Sequence, residues 1–169
     1  DKPIKYLEPL QGEVMVYPLS QHIGAPAKPL VAKGDHVLKG QIIAEAGGFI
    51  SANVLSSVSG TVKGIESKLV ANGAMVQSIL VENDGEEEAI EGFGTDRDAS
   101  KLSKEEIRQI VKDAGIVGLG GAGFPTHVKL TPKDENAIDY VIVNGAECEP
   151  YLTSDYRTMM ERPEQIIGG

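Results

Sequence analysis

Gly118-Leu119-Gly120-Gly121-Ala122-Gly123, followed by Phe124-Pro125-Thr126 and closed by Lys129, is the stretch whose residues could do the clearest chemistry. Its four glycines free the backbone to adopt positive φ and to approach a ligand with no Cβ in the way. Successive N–H groups in such a loop can converge on an anion. Pro125 suits the first position of a helix, where its missing N–H is not needed. Lys129, one turn further on, adds a full positive charge. The stretch reads as a cradle for a phosphorylated cofactor, or else as a glycine-rich connection without a ligand. It is neither of the common nucleotide loops. A helix rather than a strand precedes the glycines, and no Gly-Lys-Ser/Thr follows them.

A second constellation lies at Asn144-Gly145-Ala146-Glu147-Cys148-Glu149-Pro150. It follows Asp139-Tyr140-Val141-Ile142-Val143, a short run expected to form a β-strand. Loops that leave the carboxyl ends of strands are where α/β proteins bind ligands. If residues 147–149 are extended, both carboxylates project to one side and Cys148 to the other. Acceptors so placed suit ribose hydroxyls or the N–H edge of a flavin; a solvated acidic turn is the other reading.

The elements that must position these groups can be read in outline. Ser103 to Ala114 is expected to be a helix, opened by a Ser103–Glu106 capping box and stopped by Gly115. Ile107, Ile110, Val111 and Ala114 recur along it at helical spacing. Another helix is expected from Pro163 onward. Up to about Asn83 the chain shows short apolar runs punctuated by turn glycines such as Gly34 and Gly40, the habit of a compact all-β unit. Between the halves lies Glu82 to Glu91, expected to be a solvated acidic connection.

Charge and composition exclude several classes. A net charge of −9 on 169 residues disfavours nucleic acid as a partner and direct adhesion to an anionic membrane surface. No apolar run approaches a membrane span, and the N-terminus shows no basic-then-apolar signal. Cys148 is the single cysteine, which excludes an internal disulfide or a cysteine-ligated cluster within these residues. Its acidic neighbours disfavour a thiolate, so it is expected to be a buried or half-buried small residue. His22, His36 and His127 have no partners at metal-ligand spacing. His36 is expected at the surface, while His127, Tyr151 and Tyr156 could lie near a cofactor or simply in the core. No catalytic side chain and no metal ligand is assigned.

Taken together, Gly118 to Lys129 and Asn144 to Tyr151 resemble the FMN- and NADH-binding domain of the flavin-bearing subunit of respiratory complex I. They are more similar still to the RnfC family, whose members belong to the membrane-associated ferredoxin:NAD oxidoreductases that couple electron flow to ion transport. Leu119 and Ala146 stand where the complex I pattern has Arg and Asp. The early Gly34-Asp35-His36-Val37 and Ser59-Gly60-Thr61-Val62 resemble the biotinyl/lipoyl barrel-sandwich hybrid, although residues 46–57 lack the lysine that would carry a prosthetic group.

The resemblance implies a mixed fold, in which an all-β barrel-sandwich hybrid with its acidic linker (residues 1–95) precedes the start of an α/β FMN-binding domain (residues 96–169). It implies that Gly118, Gly120, Gly121, Gly123 and Lys129 hold the FMN phosphate and ribityl chain. Asn144, Glu147 and Glu149 would line the flavin and NAD(H). The flavin domain would continue past Gly169, and 4Fe-4S clusters would lie outside this stretch, which alone would be inactive. The implied partners are the other Rnf subunits and, through them, ferredoxin, with peripheral attachment to the cytoplasmic face of the membrane. A cobalamin reductase-type flavoprotein and a non-catalytic docking module are the alternatives.

Overall fold

The computed structural model describes residues 2–119 and 122–168. They divide into two compact units. One runs from Pro9 to Pro132; the other joins the residues up to Glu8 with the chain from Lys133 onward.

The larger unit is built on seven strands: β1 (Val14–Pro18), β2 (Lys28–Pro29), β3 (His36–Val37), β4 (Ile42–Glu45), β5 (Val54–Leu55), β6 (Gly60–Leu69) and β7 (Met75–Asn83). They form an antiparallel four-stranded sheet in the order β1-β7-β6-β3 and a three-stranded sheet in the order β2-β4-β5. This is the two-sheet arrangement expected of the barrel-sandwich hybrid. The core is small and aliphatic, with Val37, Ile43, Val62, Ile79 and Val81 almost wholly buried between the sheets. Tyr17 closes one end, and its phenolic oxygen accepts the Ser57 N–H at 3.0 Å, so its polar tip is satisfied.

The acidic connection differs from expectation. Its charges face solvent, but its backbone is bound along the barrel. The Lys39 N–H donates to the Glu88 carbonyl (2.8 Å), and the Ile90 N–H donates to that of Lys39 (3.0 Å). Lys39 also pairs with Glu87 at 2.8 Å and lies over the Phe93 ring. This bridge to Lys39, just beyond β3, satisfies main-chain groups that a free linker would leave to water.

Helix α1 (Lys104–Asp113) follows, with both hydrogen bonds of the Ser103–Glu106 capping box formed. Those bonds also hold the Glu106 carboxyl below its ordinary pKa. Gly115 ends the helix at φ +64°. A Cβ there would lie 2.4 Å from the Asn53 carbonyl oxygen, so glycine is required both for the turn and for the approach to the barrel.

In the smaller unit, α3 (Ser154–Glu161) and α4 (Pro163–Gly168) lie with the N-terminal residues. The Ile4 N–H donates to Glu161 at 3.1 Å, and the Arg162 guanidinium stacks 4.9 Å from the Tyr6 ring. The strand expected at 139–143 is not formed. Tyr140, Val141, Ile142 and Val143 are exposed and have no ladder partner among the described residues. High β-propensity alone does not make a strand, because a strand is defined by a neighbour that takes its N–H and C=O groups. Cys148, expected to be at least half-buried, is exposed for the same reason: among the described residues no second strand or sheet covers this segment.

Candidate functional site

The described part of the glycine loop is closed by its own main chain. The Gly118 N–H donates to the Phe124 carbonyl at 2.9 Å, and the Thr126 N–H to that of Ile116 at 2.9 Å. Val117 and Pro125 thus face each other as a bridge at the loop's neck. Gly120 and Gly121 lie outside the described residues. Beyond the neck, α2 (Thr126–Lys129) is a single turn, with Pro125 at the cap position rather than inside the helix. Four residues cannot build a substantial macrodipole, so the positive charge at this loop comes from a side chain.

That side chain is Lys129. It ends α2 and folds back over the loop, so that a Cβ placed on Gly118 would lie 2.9 Å from its Nζ. Lys129 is exposed, and among the described residues no carboxylate pairs with it. An ammonium so held against a glycine main chain is suited to a phosphoryl group. His127, in the same turn, is half-buried; burial pushes its imidazole below the ordinary pKa, and the Lys112 charge adds to the effect. It is therefore neutral at pH 7 and adds no second charge.

The far side of the loop rests on the barrel. The Ile23 N–H donates to the Ala122 carbonyl at 3.1 Å. Gly123 is buried, at φ +62°, and a Cβ there would lie 2.7 Å from the Gln21 carbonyl oxygen. An open cavity of about 650 Å³ lies alongside, lined by Gln21, Ile23, Val70, Asn72, Gly118 and Ala122. Its size is within the range of small-molecule sites.

Asn144, Glu147 and Glu149 belong to the other compact unit. The Asn144 Oδ1 accepts the Ala146 N–H at 3.0 Å, a local Asx turn. Glu147 caps α3 from seven residues upstream, its Oε1 accepting the N–H groups of Asp155 (2.7 Å) and Tyr156 (3.1 Å). The chain turns back to allow this at Cys148–Tyr151, with Tyr151 at φ +68°. The two glutamates therefore do not form the extended pair expected from sequence. Glu149 is exposed, and its carbonyl accepts the Leu152 N–H. Among the described residues no group of three or more His, Cys, Asp or Glu side chains could hold a metal ion.

Sequence reasoning missed two features. Helix α3 has a readable start in Thr153-Ser154-Asp155. The seating of the glycine loop on Gln21–Ile23 has no local signal, because about a hundred residues separate the partners.

Known proteins show where such a chain occurs. The RnfC barrel sandwich hybrid domain family matches residues 1–86, and the Nuo51 FMN-binding domain family matches residues 111–169. Among curated proteins, the chain is 47% identical over 169 residues to the C subunit of a proton-translocating ferredoxin:NAD(+) oxidoreductase complex from Clostridium ljungdahlii, covering 100% of this chain and 36% of the relative. It is 45% identical over 160 residues to the C subunit of a Na(+)-translocating ferredoxin:NAD(+) oxidoreductase complex from Acetobacterium woodii (93% of this chain, 35% of the relative). The C subunit of an ion-translocating oxidoreductase complex from Rhodobacter capsulatus is 46% identical over 154 residues (90% and 30%). The chain thus spans about a third of the length of these relatives.

Proposed function

Because this chain belongs to the RnfC barrel sandwich hybrid family, we propose that it is the flavin phosphate-loop portion of the RnfC subunit of an ion-translocating ferredoxin:NAD oxidoreductase. The observation that carries this reading is the Lys129 ammonium lying over Gly118 in a loop closed by its own main chain. The match of residues 111–169 to an FMN-binding domain supports FMN as the cofactor. The described residues fit its phosphate end, since the space at Gly118 is one that any Cβ would fill.

FMN, when bound, supplies hydride exchange with a nicotinamide and single-electron exchange with clusters. The chain's own work is to bind and to orient. Main-chain groups of Gly118, Gly120, Gly121 and Gly123 would surround the phosphate, with Lys129 neutralising it. Asn144 and Glu149 would face the ring and NAD(H). Glu147 would do so only by releasing the α3 amides it now caps. We further propose a division of labour at about residue 95, with the barrel before it and the flavin domain after it. The 4Fe-4S clusters would be held elsewhere in the full-length protein, and the 169-residue stretch alone would be inactive. No helix among the described residues is long and apolar enough to cross a membrane. In the proposed assembly the protein sits peripherally on the cytoplasmic side, held by the other Rnf subunits, and exchanges electrons with ferredoxin through them.

The test is titration of the full-length protein with FMN, followed by flavin fluorescence. Lys129→Glu replaces attraction by repulsion at the phosphate and should weaken binding by roughly a hundredfold, about twice 1.4 kcal/mol. Unchanged affinity would exclude the assigned role.

A further inference from the structure

His22 is a buried histidine in the connection between β1 and β2, only 6% exposed, and the chemistry proposed above makes no use of it. Both ring nitrogens are engaged. The Ala52 N–H donates to Nε2 at 3.1 Å, which fixes the tautomer: Nε2 must be the acceptor and the proton must sit on Nδ1. Nδ1–H in turn donates to the Ile23 carbonyl at 3.0 Å. The neutral imidazole therefore ties the approach to β5 to the peptide of Ile23. The N–H of that same residue donates to Ala122 in the glycine loop. Gly123 then seats on the segment so closely that a Cβ would lie 3.0 Å from the His22 Cα, as well as 2.7 Å from the Gln21 carbonyl oxygen.

Three stretches distant in sequence meet at this point: Gln21–Ile23, Ala52 and Ala122–Gly123. Glycine as a residue type has more accessible backbone states than any other, and a ligand that selects one of several states binds more weakly in proportion to the others. A rigid support on one side of the loop removes part of that penalty. We propose that His22 is a positioning residue for the flavin phosphate: through Ile23 it holds the Ala122–Gly123 end of the glycine loop in its binding shape. On this account the barrel is part of the cofactor site and not only a scaffold beside it. The inference rests on the reading of the glycine loop as the phosphate cradle.

The experiment compares FMN with riboflavin, which lacks the phosphate, on the full-length protein and its His22→Ala, His22→Gln, Gly123→Ala and Lys129→Ala variants. Affinities are read by flavin fluorescence and folding by circular dichroism. His22→Ala should weaken FMN by about tenfold while leaving riboflavin within about twofold. His22→Gln, whose Oε1 can still accept from Ala52, should recover most of the loss. Gly123→Ala, which forces the loop off Gln21 and alters the loop directly, should weaken FMN at least as much, and its full FMN affinity would count against the seat if His22→Ala does not fold. Equal loss of FMN and riboflavin would overturn the proposal, because a general structural defect does not single out the phosphate. Full FMN affinity in folded His22→Ala or Gly123→Ala, with Lys129→Ala weakened, would overturn the positioning role and leave the cradle standing. Full affinity in Lys129→Ala as well would remove both.

Discussion

Gly118→Ala is a sharp probe of the lysine. Gly118 has an ordinary φ, so alanine imposes no backbone strain, and its N–H can still donate to Phe124. The added methyl would lie 2.9 Å from the Lys129 Nζ, about half an ångström inside normal contact. The ammonium is the far end of a flexible, exposed side chain and can move away, so the fold should be unaffected. A phosphate bound in the cradle, however, would meet a displaced charge. Complete removal of the lysine, in Lys129→Ala, deletes a charge-assisted hydrogen bond worth about 1.5–3 kcal/mol, or roughly 10–150-fold in affinity. Displacement alone should forfeit about 1 kcal/mol, roughly fivefold. Titration of the full-length protein should therefore rank FMN affinity as wild type, Gly118→Ala, Lys129→Ala, with riboflavin nearly indifferent to all three. Thermal melts of Gly118→Ala should overlay the wild type. Wild-type FMN affinity in Gly118→Ala, or a melting temperature lowered by several degrees, would refute the placement of the ammonium.

Other outcomes follow from the same geometry. Gly115→Ala combines a positive φ with a 2.4 Å approach to the Asn53 carbonyl and should destabilise the Pro9–Pro132 unit by about 1–3 kcal/mol in urea titrations. Ile79→Ala, fully buried in β7, should destabilise it by about 2–5 kcal/mol. The Asp84 carboxyl is held below its ordinary value of 3.8, chiefly by the Ser59 hydroxyl and then by the Glu86 N–H and His36. Its charge therefore contributes stability that is fully present above that value and is lost as the pH falls through the depressed one. The stability gap between wild type and Asp84→Asn should close on acidification below about pH 4. Glu147→Ala removes the acceptor for two amides at the start of α3 and should speed hydrogen exchange at Asp155 and Tyr156 by roughly fivefold, about 1 kcal/mol.

What could be read from the sequence was local. The Ser103–Glu106 box, the stop at Gly115 and the turns at Gly34 and Gly40 are each decided within a few residues, and the structure has them where expected. The barrel was legible because its turn signals recur at short intervals. Features that depend on distant partners were not. Nothing near Glu88 announces that its carbonyl will accept from Lys39, and nothing near Glu147 announces that its carboxylate will turn back onto α3. The run 139–143 failed as a strand because its residues have β-propensity but no ladder partner among the described residues. At the glycine loop, the sequence places Lys129 one turn past Pro125, but that its ammonium lies back against Gly118 is visible only in the structure. The seat provided by Gln21–Ile23 could not have been read at all.

The connection between β4 and β5 bears on the role of the barrel in the proposed electron-transfer subunit. In the biotinyl/lipoyl carriers that this barrel resembles, the corresponding hairpin bears the lysine that is modified. Here the tip has no amine to bear an arm. Ser51 hydrogen bonds to the Ala25 carbonyl, and Asn53 abuts Gly115 at the end of α1. The point of greatest freedom in a shuttle has become a joint. In the proposed redox subunit, that joint makes the barrel a stationary post and not a courier.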